Sequence, residues 1–341
     1  MSDQSTLTGK KYDVVALGEA LIDFTEAGRS PSGMRLFEQN PGGAPANLLS
    51  ALSRLGTKTA FIGKAGQDMH GRFLRMTLEG LGIDTQGLIM TEDVFTTMAF
   101  VSLNGGEREF SFARKPGADT CLTAEELNLG VLAHTAALHI GSLSMTDEPA
   151  RTATYTAVQR AKEIGAIISY DPNYRASLWS SREEAVLRMR EPLPLVDVIK
   201  LSDEETELLS GYRDPEKAAK ELSDRGIGLI AVTLGKEGAL ICRKGECRLI
   251  PGYDLPATDT TGAGDAFWGG FLYQLLKSGK SLETVNLEDA ASFARFGNAT
   301  AAICVSRRGG IPAMPTLQEV IGLMQAKNNS NRILQEAKDH A

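Results

Sequence analysis

Residues 259–272, DTTGAGDAFWGGFL, set a glycine-rich turn and a carboxylate directly before an apolar run. Asp259, Thr260 and Thr261 are turn and cap residues. Gly262 and Gly264 free the backbone to take positive φ and to come close to a ligand. From Asp265 the pattern is helical: Phe267, Phe271 and Leu275 make one row, and Trp268, Leu272 and Leu276 another. The N–H groups of Gly262, Ala263 and Gly264 then point out of a helix N-terminus, where the dipole favours anions. A phosphate suits those groups, but a permanently charged Asp265 beside it does not. The two are reconciled if Asp265 takes the proton of an attacking hydroxyl while the amides hold a transferring phosphoryl group. The plainer alternative is a helix cap with a dipole-stabilising Asp265.

Such a helix needs a sheet to pack on, and the chain supplies one. Tyr12–Leu17, residues 59–66, Ala137–Ile140, Ile167–Asp171, Val196–Leu201 and Leu229–Leu234 read as short buried strands. Helices are expected after Pro45, over Met69–Leu81, and at 150–165, 182–191, 203–210, 214–226, 265–277, 287–303 and 316–325. This alternation indicates an α/β fold with a mostly parallel sheet covered by helices on both faces. Gly269 and Gly270 are expected to let the 265–277 helix pack closely on a strand, and Gly279 to end it. Thr96–Leu103 and Glu109–Phe112, joined by Asn104-Gly105-Gly106, read instead as a hairpin. Residues 19–41 and 92–118 are therefore expected to form a small sheet lying over the main domain as a lid. Residues 1–11 and 327–341 are expected to be flexible tails flanking a domain over 12–325.

Two further residues fall where ligands bind. Asp23 follows the first strand, and strand ends are where open α/β sheets take ligands. Asn47 lies at the start of the helix after Gly42 and Gly43, and its amide offers a donor and an acceptor to vicinal hydroxyls. Each reads equally well as an ordinary loop or helix-flank residue.

Composition narrows the function classes. The 341 residues are 42% hydrophobic and 23% charged, enough for a sizeable core. A net charge of −7 and a pI near 5.3 argue against nucleic acid or an anionic membrane as the main partner. Four cysteines without a signal-peptide pattern lead to the expectation of a reducing, cytoplasmic setting. Cys242 and Cys247 form half a zinc spacing, but no second pair follows, and Lys244-Gly245 between them reads as a hairpin turn. Gly279-Lys280-Ser281 imitates the end of a P-loop, yet Gln274 stands where its first glycine belongs. Gly262-Ala263-Gly264 imitates a dinucleotide fingerprint, yet Phe267 holds the third glycine position.

DTTGAGDAFWGGFL resembles the C-terminal signature of the PfkB/ribokinase family of carbohydrate kinases. PGGAPANLLSALSRLG with GKAGQDMHG resembles its N-terminal signature, and the likeness covers roughly residues 12–325. REFSFARKPGAD, GSLSMTDEPAR, ISYDPNYRASLW and IKLSDEE are similar to segments of the family's fructokinases. The resemblance implies a ribokinase-like fold with a small β lid, a homodimer, and ATP-dependent phosphorylation of fructose to fructose 6-phosphate. It makes Asp265 the base and Gly262, Ala263 and Gly264 the anion hole. It assigns Asp23, Gly42, Gly43, Asn47, Arg114 and Arg175 to the sugar. It assigns Thr233, Gly235, Gly238, Asn298, Lys200 and Glu205 to ATP and its Mg2+, with Ser202 where the family has an asparagine. A monovalent cation, K+, is implied beside Asp259, Thr261, Cys304, Arg307 and Gly309, where Ala313 lacks a side-chain oxygen.

Two rivals remain at this level. One is a kinase for another sugar or sugar acid, such as ribose or 2-keto-3-deoxygluconate, whose carboxylate Arg175 suits. The other is a non-catalytic sugar-binding regulator, which has no need of a base at position 265.

Overall fold

The YDVVAL run forms β1 (Tyr12–Leu17), and apart from Asp13 its side chains are buried on both faces of a sheet. In chain order the computed structural model, which describes residues 10–104 and 107–327, continues with β2 (Leu21–Arg29), β3 (Arg35–Gly42), α1 (Ala44–Arg54), β4 (Thr59–Gly66), α2 (Met69–Gly80), β5 (Asp84–Thr91), β6 (Met98–Asn104) and β7 (Glu107–Ala113). There follow the short α3 (Leu129–Leu132), then β8 (Thr135–Gly141), α4 (Ala150–Glu163), β9 (Ile167–Asp171), α5 (Arg182–Arg190), β10 (Val198–Ser202), α6 (Thr206–Ser210) and α7 (Pro215–Asp224). The chain ends with β11 (Leu229–Thr233), β12 (Gly238–Arg243), β13 (Glu246–Pro251), α8 (Ala263–Lys277), α9 (Leu287–Val305) and helical residues 317–327.

Nine strands make one sheet in the order β13-β12-β11-β10-β9-β8-β1-β4-β5. It is parallel from β11 to β5, and β12 and β13 run antiparallel at one edge. The architecture is ribokinase-like, as expected, but β5 was not read from the sequence. Its DTQGLIMT segment starts with polar residues and has neither alternation nor a continuous apolar run. Apolar clusters fill both faces: one holds α1, α8 and α9, the other α4, α5 and α7.

A second sheet of four strands, ordered β3-β2-β6-β7, comes from the two segments expected to form it. The hairpin tip at Gly105-Gly106 lies outside the described residues, as do 1–9 and 328–341 of the expected tails. Asp23 lies within the segment expected to join this sheet, on β2 opposite Asn40, which sets aside its reading as an ordinary loop residue.

Helix α8 carries the anion-seeking turn, and the fold fixes it on three sides. Trp268 Nε1 donates to Ser169 Oγ on β9 at 2.8 Å, and His139 Nδ1 on β8 lies 2.9 Å from the same oxygen. Burial holds His139 at about 3, so its ring stays neutral. The two glycines do not face a strand, as was expected. A Cβ on Gly269 would lie 2.8 Å from Ala51 Cβ on α1, and one on Gly270 2.5 Å from Thr300 Oγ1 on α9. The helix is apolar all round because it is sandwiched between two other helices and the sheet, so its close approaches are to helices.

Gly270→Val is therefore expected to destabilise the protein by about 1–3 kcal/mol through overpacking against α9. The measurement is the urea midpoint at unchanged slope. An unaltered midpoint would show that α9 yields freely to the added side chain.

Candidate active site

Strand order reverses at β1, which has β4 on one side and β8 on the other. A crevice outside the carboxyl ends of the strands is the ligand site of such sheets. Here it is a cavity of about 710 Å³, bounded by the ends of β9, β10 and β11, by the turn opening α8, and by Asp23, Glu38 and Asn40 of the small sheet.

Gly262 opens α8 with φ +77°, a left-handed conformation that glycine adopts without strain. Asp265 follows in the first turn, half-buried on the cavity floor. Its Oδ2 accepts a hydrogen bond from Asn47 Nδ2 at 2.8 Å. Asn47 is buried in the first turn of α1, and its Oδ1 has no partner among the described residues. Burial raises the Asp265 carboxyl to about 6, with Asp171 adding to the effect and Lys200, Asn47 and Arg175 opposing it. A carboxylate so tuned is charged at neutral pH yet basic enough to take a proton.

Lys200 supplies the positive charge. It is buried at the end of β10, with Nζ 2.9 Å from Asp171 Oδ2. Burial works against its charge, but the carboxylates of Asp171 and Glu205 outweigh it and hold the ammonium above its usual value. A Cβ on Gly264 would lie 2.8 Å from Nζ, so glycine is what lets the ammonium reach the helix N-terminus. Asp171 was not singled out in the sequence, and its partner lies 29 residues away.

On the other side, burial raises Asp23 to about 6, with Arg175 opposing and Asp259 adding to the shift. Gly42 makes room for it, since a Cβ there would lie 2.2 Å from Asp23 Oδ2. Gly43, at φ +106°, passes so close to the Glu19 carbonyl that a Cβ would lie 2.4 Å from that oxygen. Sequence reasoning also missed Glu19. Its Oε1 accepts from Ala44 N at 2.9 Å, its Oε2 has no partner among the described residues, and burial pushes it to about 7.

Of the residues expected in the site, Asp265, Gly262, Ala263, Gly264, Asp23, Gly43, Asn47, Arg175, Lys200, Thr233, Gly235, Asp259, Thr261 and Gly309 line this one cavity. Arg114 does not, contrary to its expected reach toward the sugar. Its guanidinium is buried, donating to Asp119 Oδ2 at 2.8 Å, Thr146 Oγ1 at 2.9 Å and the Leu143 carbonyl at 2.8 Å. It clamps the end of β7 to the loop after β8. Glu205 also lies off the cavity wall, its two oxygens accepting from Tyr174 N and Ser202 N, each at 2.7 Å. Asn298 Nδ2 donates to the carbonyls of Ile250 and Pro251 at 3.0 and 3.2 Å, tying α9 to β13. Gly42, Gly238, Cys304 and Arg307 complete the group that lies behind the wall.

The proposed cation residues gather only in part. Asp259 accepts from Thr261 N and Oγ1 at 3.0 and 2.8 Å and from Gly309 N at 3.0 Å, and Cys304 Sγ lies 3.7 Å from the Thr261 carbonyl. Arg307 turns away to pair with Glu319. Among the described residues no group of three or more His, Cys, Asp or Glu side chains is placed to hold a metal ion.

Residues 11–317 match the model of the pfkB family carbohydrate kinases. The chain is 42% identical to Fructokinase-1 of Zea mays over 92% of its own length and 97% of that protein's. It is 41% identical to Fructokinase-1 of Oryza sativa subsp. japonica over 94% and 100%. A crystal structure of fructokinase with bound ATP from Xylella fastidiosa superposes with a TM-score of 0.87 at 34% identity, covering 93% of this chain and 99% of that one. A double-mutant fructokinase from Vibrio cholerae O395, in its fructose-, ADP- and potassium-bound form, gives 0.82 at 31%, covering 92% and 99%.

Lys200→Met leaves Asp171 buried without its partner, and breaking a buried pair in this way typically costs about 3–5 kcal/mol. Chemical denaturation is expected to show a loss of that order. A loss under 1 kcal/mol would mean that the pair does not hold the site together.

Proposed function

The chain belongs to the pfkB family of carbohydrate kinases, and from that premise we propose that it transfers the γ-phosphoryl group of ATP to the 6-hydroxyl of fructose, with Asp265 as the base. It is an enzyme, a carbohydrate kinase, and its curated relatives and structural neighbours are fructokinases. The observation that carries the residue-level reading is the joint placement, in one helical turn, of the Gly262–Gly264 amides and of Asp265 held by Asn47.

The sugar hydroxyl meets Asp265, which accepts its proton as the oxygen attacks the γ-phosphorus in line. The amides of Gly262, Ala263 and Gly264, aided by the Lys200 ammonium, hold the charge of the transferring group. Asn47 keeps Asp265 aimed and stops it rotating out of reach. Asp23 and Asn47 offer hydrogen bonds to the remaining hydroxyls, and Arg175, exposed between Asp23 and Asp265, reaches both ligands. Thr233 and Gly235 form the nucleotide side of the cavity.

Magnesium neutralises charge on the phosphates when bound. The engaged carboxylates of Asp171 and Glu205 suit an ion that arrives on its nucleotide and keeps its waters. The loop of Asp259, Thr261 and Gly309, next to the α8 N-terminus, has the oxygen chemistry for a potassium ion through backbone carbonyls. The small sheet acts as the lid, turning Asp23 and Asn40 to the cavity. Its other face exposes Phe37 and Phe100, which supports a homodimer formed through the lid.

Asp265→Asn keeps the shape of the base but not its proton affinity. A loss of about 10²–10⁴ in kcat is expected, with sugar affinity much less changed. In the unaltered enzyme the base works deprotonated, so activity is lost as pH falls through the raised value near 6. Near-normal kcat in the variant, or no acid limb in the wild type above pH ~5, removes Asp265 from this role.

Asp23 faces the sugar, and a buried like-charge contact with a substrate carboxylate costs on the order of several kcal/mol. Arg175 pulls the other way, because its fork suits a carboxylate. Fructose is expected to exceed ribose and 2-keto-3-deoxygluconate by at least about tenfold in kcat/KM, ~1.4 kcal/mol of differential transition-state binding. Initial rates on the three sugars decide it: a faster sugar acid or ribose overturns the fructose assignment and leaves the kinase standing.

A further inference from the structure

The kinase reading leaves Cys242 and Cys247 without a task. Lys244 and Gly245 have φ of 51° and 77°, so β12 and β13 join through a two-residue turn of the type I′ kind. Arg243 and Glu246 flank it as the closing hydrogen-bonded pair, which makes the next pair, Cys242 opposite Cys247, a non-hydrogen-bonded one. Cα atoms in such pairs lie about 4.5 Å apart, with their side chains on one face. That is inside the ~4.4–6.8 Å range that a disulfide spans.

Both thiols are free. Cys242 is fully buried in the cluster that includes Ala219 and Leu222 of α7, while Cys247 is half-buried at the edge of the same cluster. The hydrogen bond between the two sulfurs holds the Cys242 thiol below its ordinary value against the pull of burial, with the Gly245 amide and the Lys220 ammonium adding to it, and pushes the Cys247 thiol up, so that the shared proton rests on Cys247. One sulfur is thus reachable from solvent and the other is poised behind it. The hairpin is also the free edge of the nine-stranded sheet.

We propose that Cys242 and Cys247 are a thiol–disulfide site, converted to an intramolecular disulfide by small-molecule disulfides of the glutathione class. The half-buried Cys247 thiol passes its proton to the hydrogen-bonded Cys242 sulfur and, as the thiolate, attacks one sulfur of the external disulfide. That S–S bond breaks, a mixed disulfide forms on Cys247, and one thiolate leaves. The Cys242 thiolate then attacks Cys247 Sγ, the mixed disulfide breaks, and the second thiolate leaves. The two cysteine protons end on the departing thiols, and the protein's two electrons reduce the reagent. The product fixes the register of the edge hairpin.

The test uses the reduced full chain with an excess of oxidised glutathione, followed by intact mass and peptide mapping. The expected result is the loss of two hydrogens and a peptide cross-link between Cys242 and Cys247, both reversed by dithiothreitol. Cys242→Ser is expected to trap a glutathione adduct on Cys247, and Cys247→Ser to leave Cys242 unmodified. If either serine variant unfolds, Cys242→Ala and Cys247→Ala carry the same comparison. A wild-type protein that accumulates a stable mixed disulfide on Cys247 overturns the proposal. So does one in which both thiols stay free while Cys121 reacts.

Discussion

A carboxylate and a glycine-rich helix N-terminus share one turn of α8, and each suits the opposite charge in a ligand unless something else sets the balance. In the proposed reaction Asp265 would repel the phosphoryl group that the Gly262–Gly264 amides would attract. Lys200 resolves the conflict by reaching the same turn from β10, across a glycine that leaves no Cβ in its way. Because an unpaired ammonium in that place would be costly, Asp171 accompanies it from the next strand. The parallel register of β9 and β10 is what sets the pair side by side. The catalytic proposal thus depends on sheet geometry as much as on the helix that displays the residues.

The position of α8 is itself a packing result. Glycines at 269 and 270 admit α1 on one side and α9 on the other, and the Trp268–Ser169 hydrogen bond anchors the helix to β9. The contact with α1 has a second effect. It brings Asn47, in the first turn of α1, within hydrogen-bond distance of Asp265, in the first turn of α8. Two helix N-termini converge on one cavity, and residues 218 apart in sequence share a hydrogen bond.

What the sequence disclosed follows from how local each signal is. The α8 turn was legible because cap, glycines, carboxylate and apolar rows lie within one short stretch. The β6–β7 half of the small sheet was legible from its alternation and from the Asn104-Gly105-Gly106 signal, while β2 and β3 lie in a stretch of weak periodicity. Arg114 was misplaced because its partners at Asp119, Leu143 and Thr146 meet only once the chain has folded. Gly42 was assigned to the sugar, while its lack of a side chain makes room for the Asp23 carboxylate. Glu19 and Asp171 stayed hidden because burial and long-range pairing, not residue type, make them unusual. β5 was missed because parallel pairing with β4, rather than any pattern of its own, makes it a strand.

The charge around the cavity is mixed rather than divided: Asp203 and Glu204 line it beside Lys200, and Arg308 lies 3.8 Å from Glu38. Glu19, Asp23 and Glu38 stand on the side of β1 and the small sheet. Lys200 and the first turn of α8 stand on the side of β10. Asp265 lies where the two regions meet. Its raised value reflects that mixture, since burial and Asp171 press on it from one side while Asn47, Lys200 and Arg175 relieve it. Asp265 thus shares with Asp23 a value raised to about 6 by burial, but of the two it alone stands in the α8 turn beside Lys200, which is where the proposed transfer needs a base.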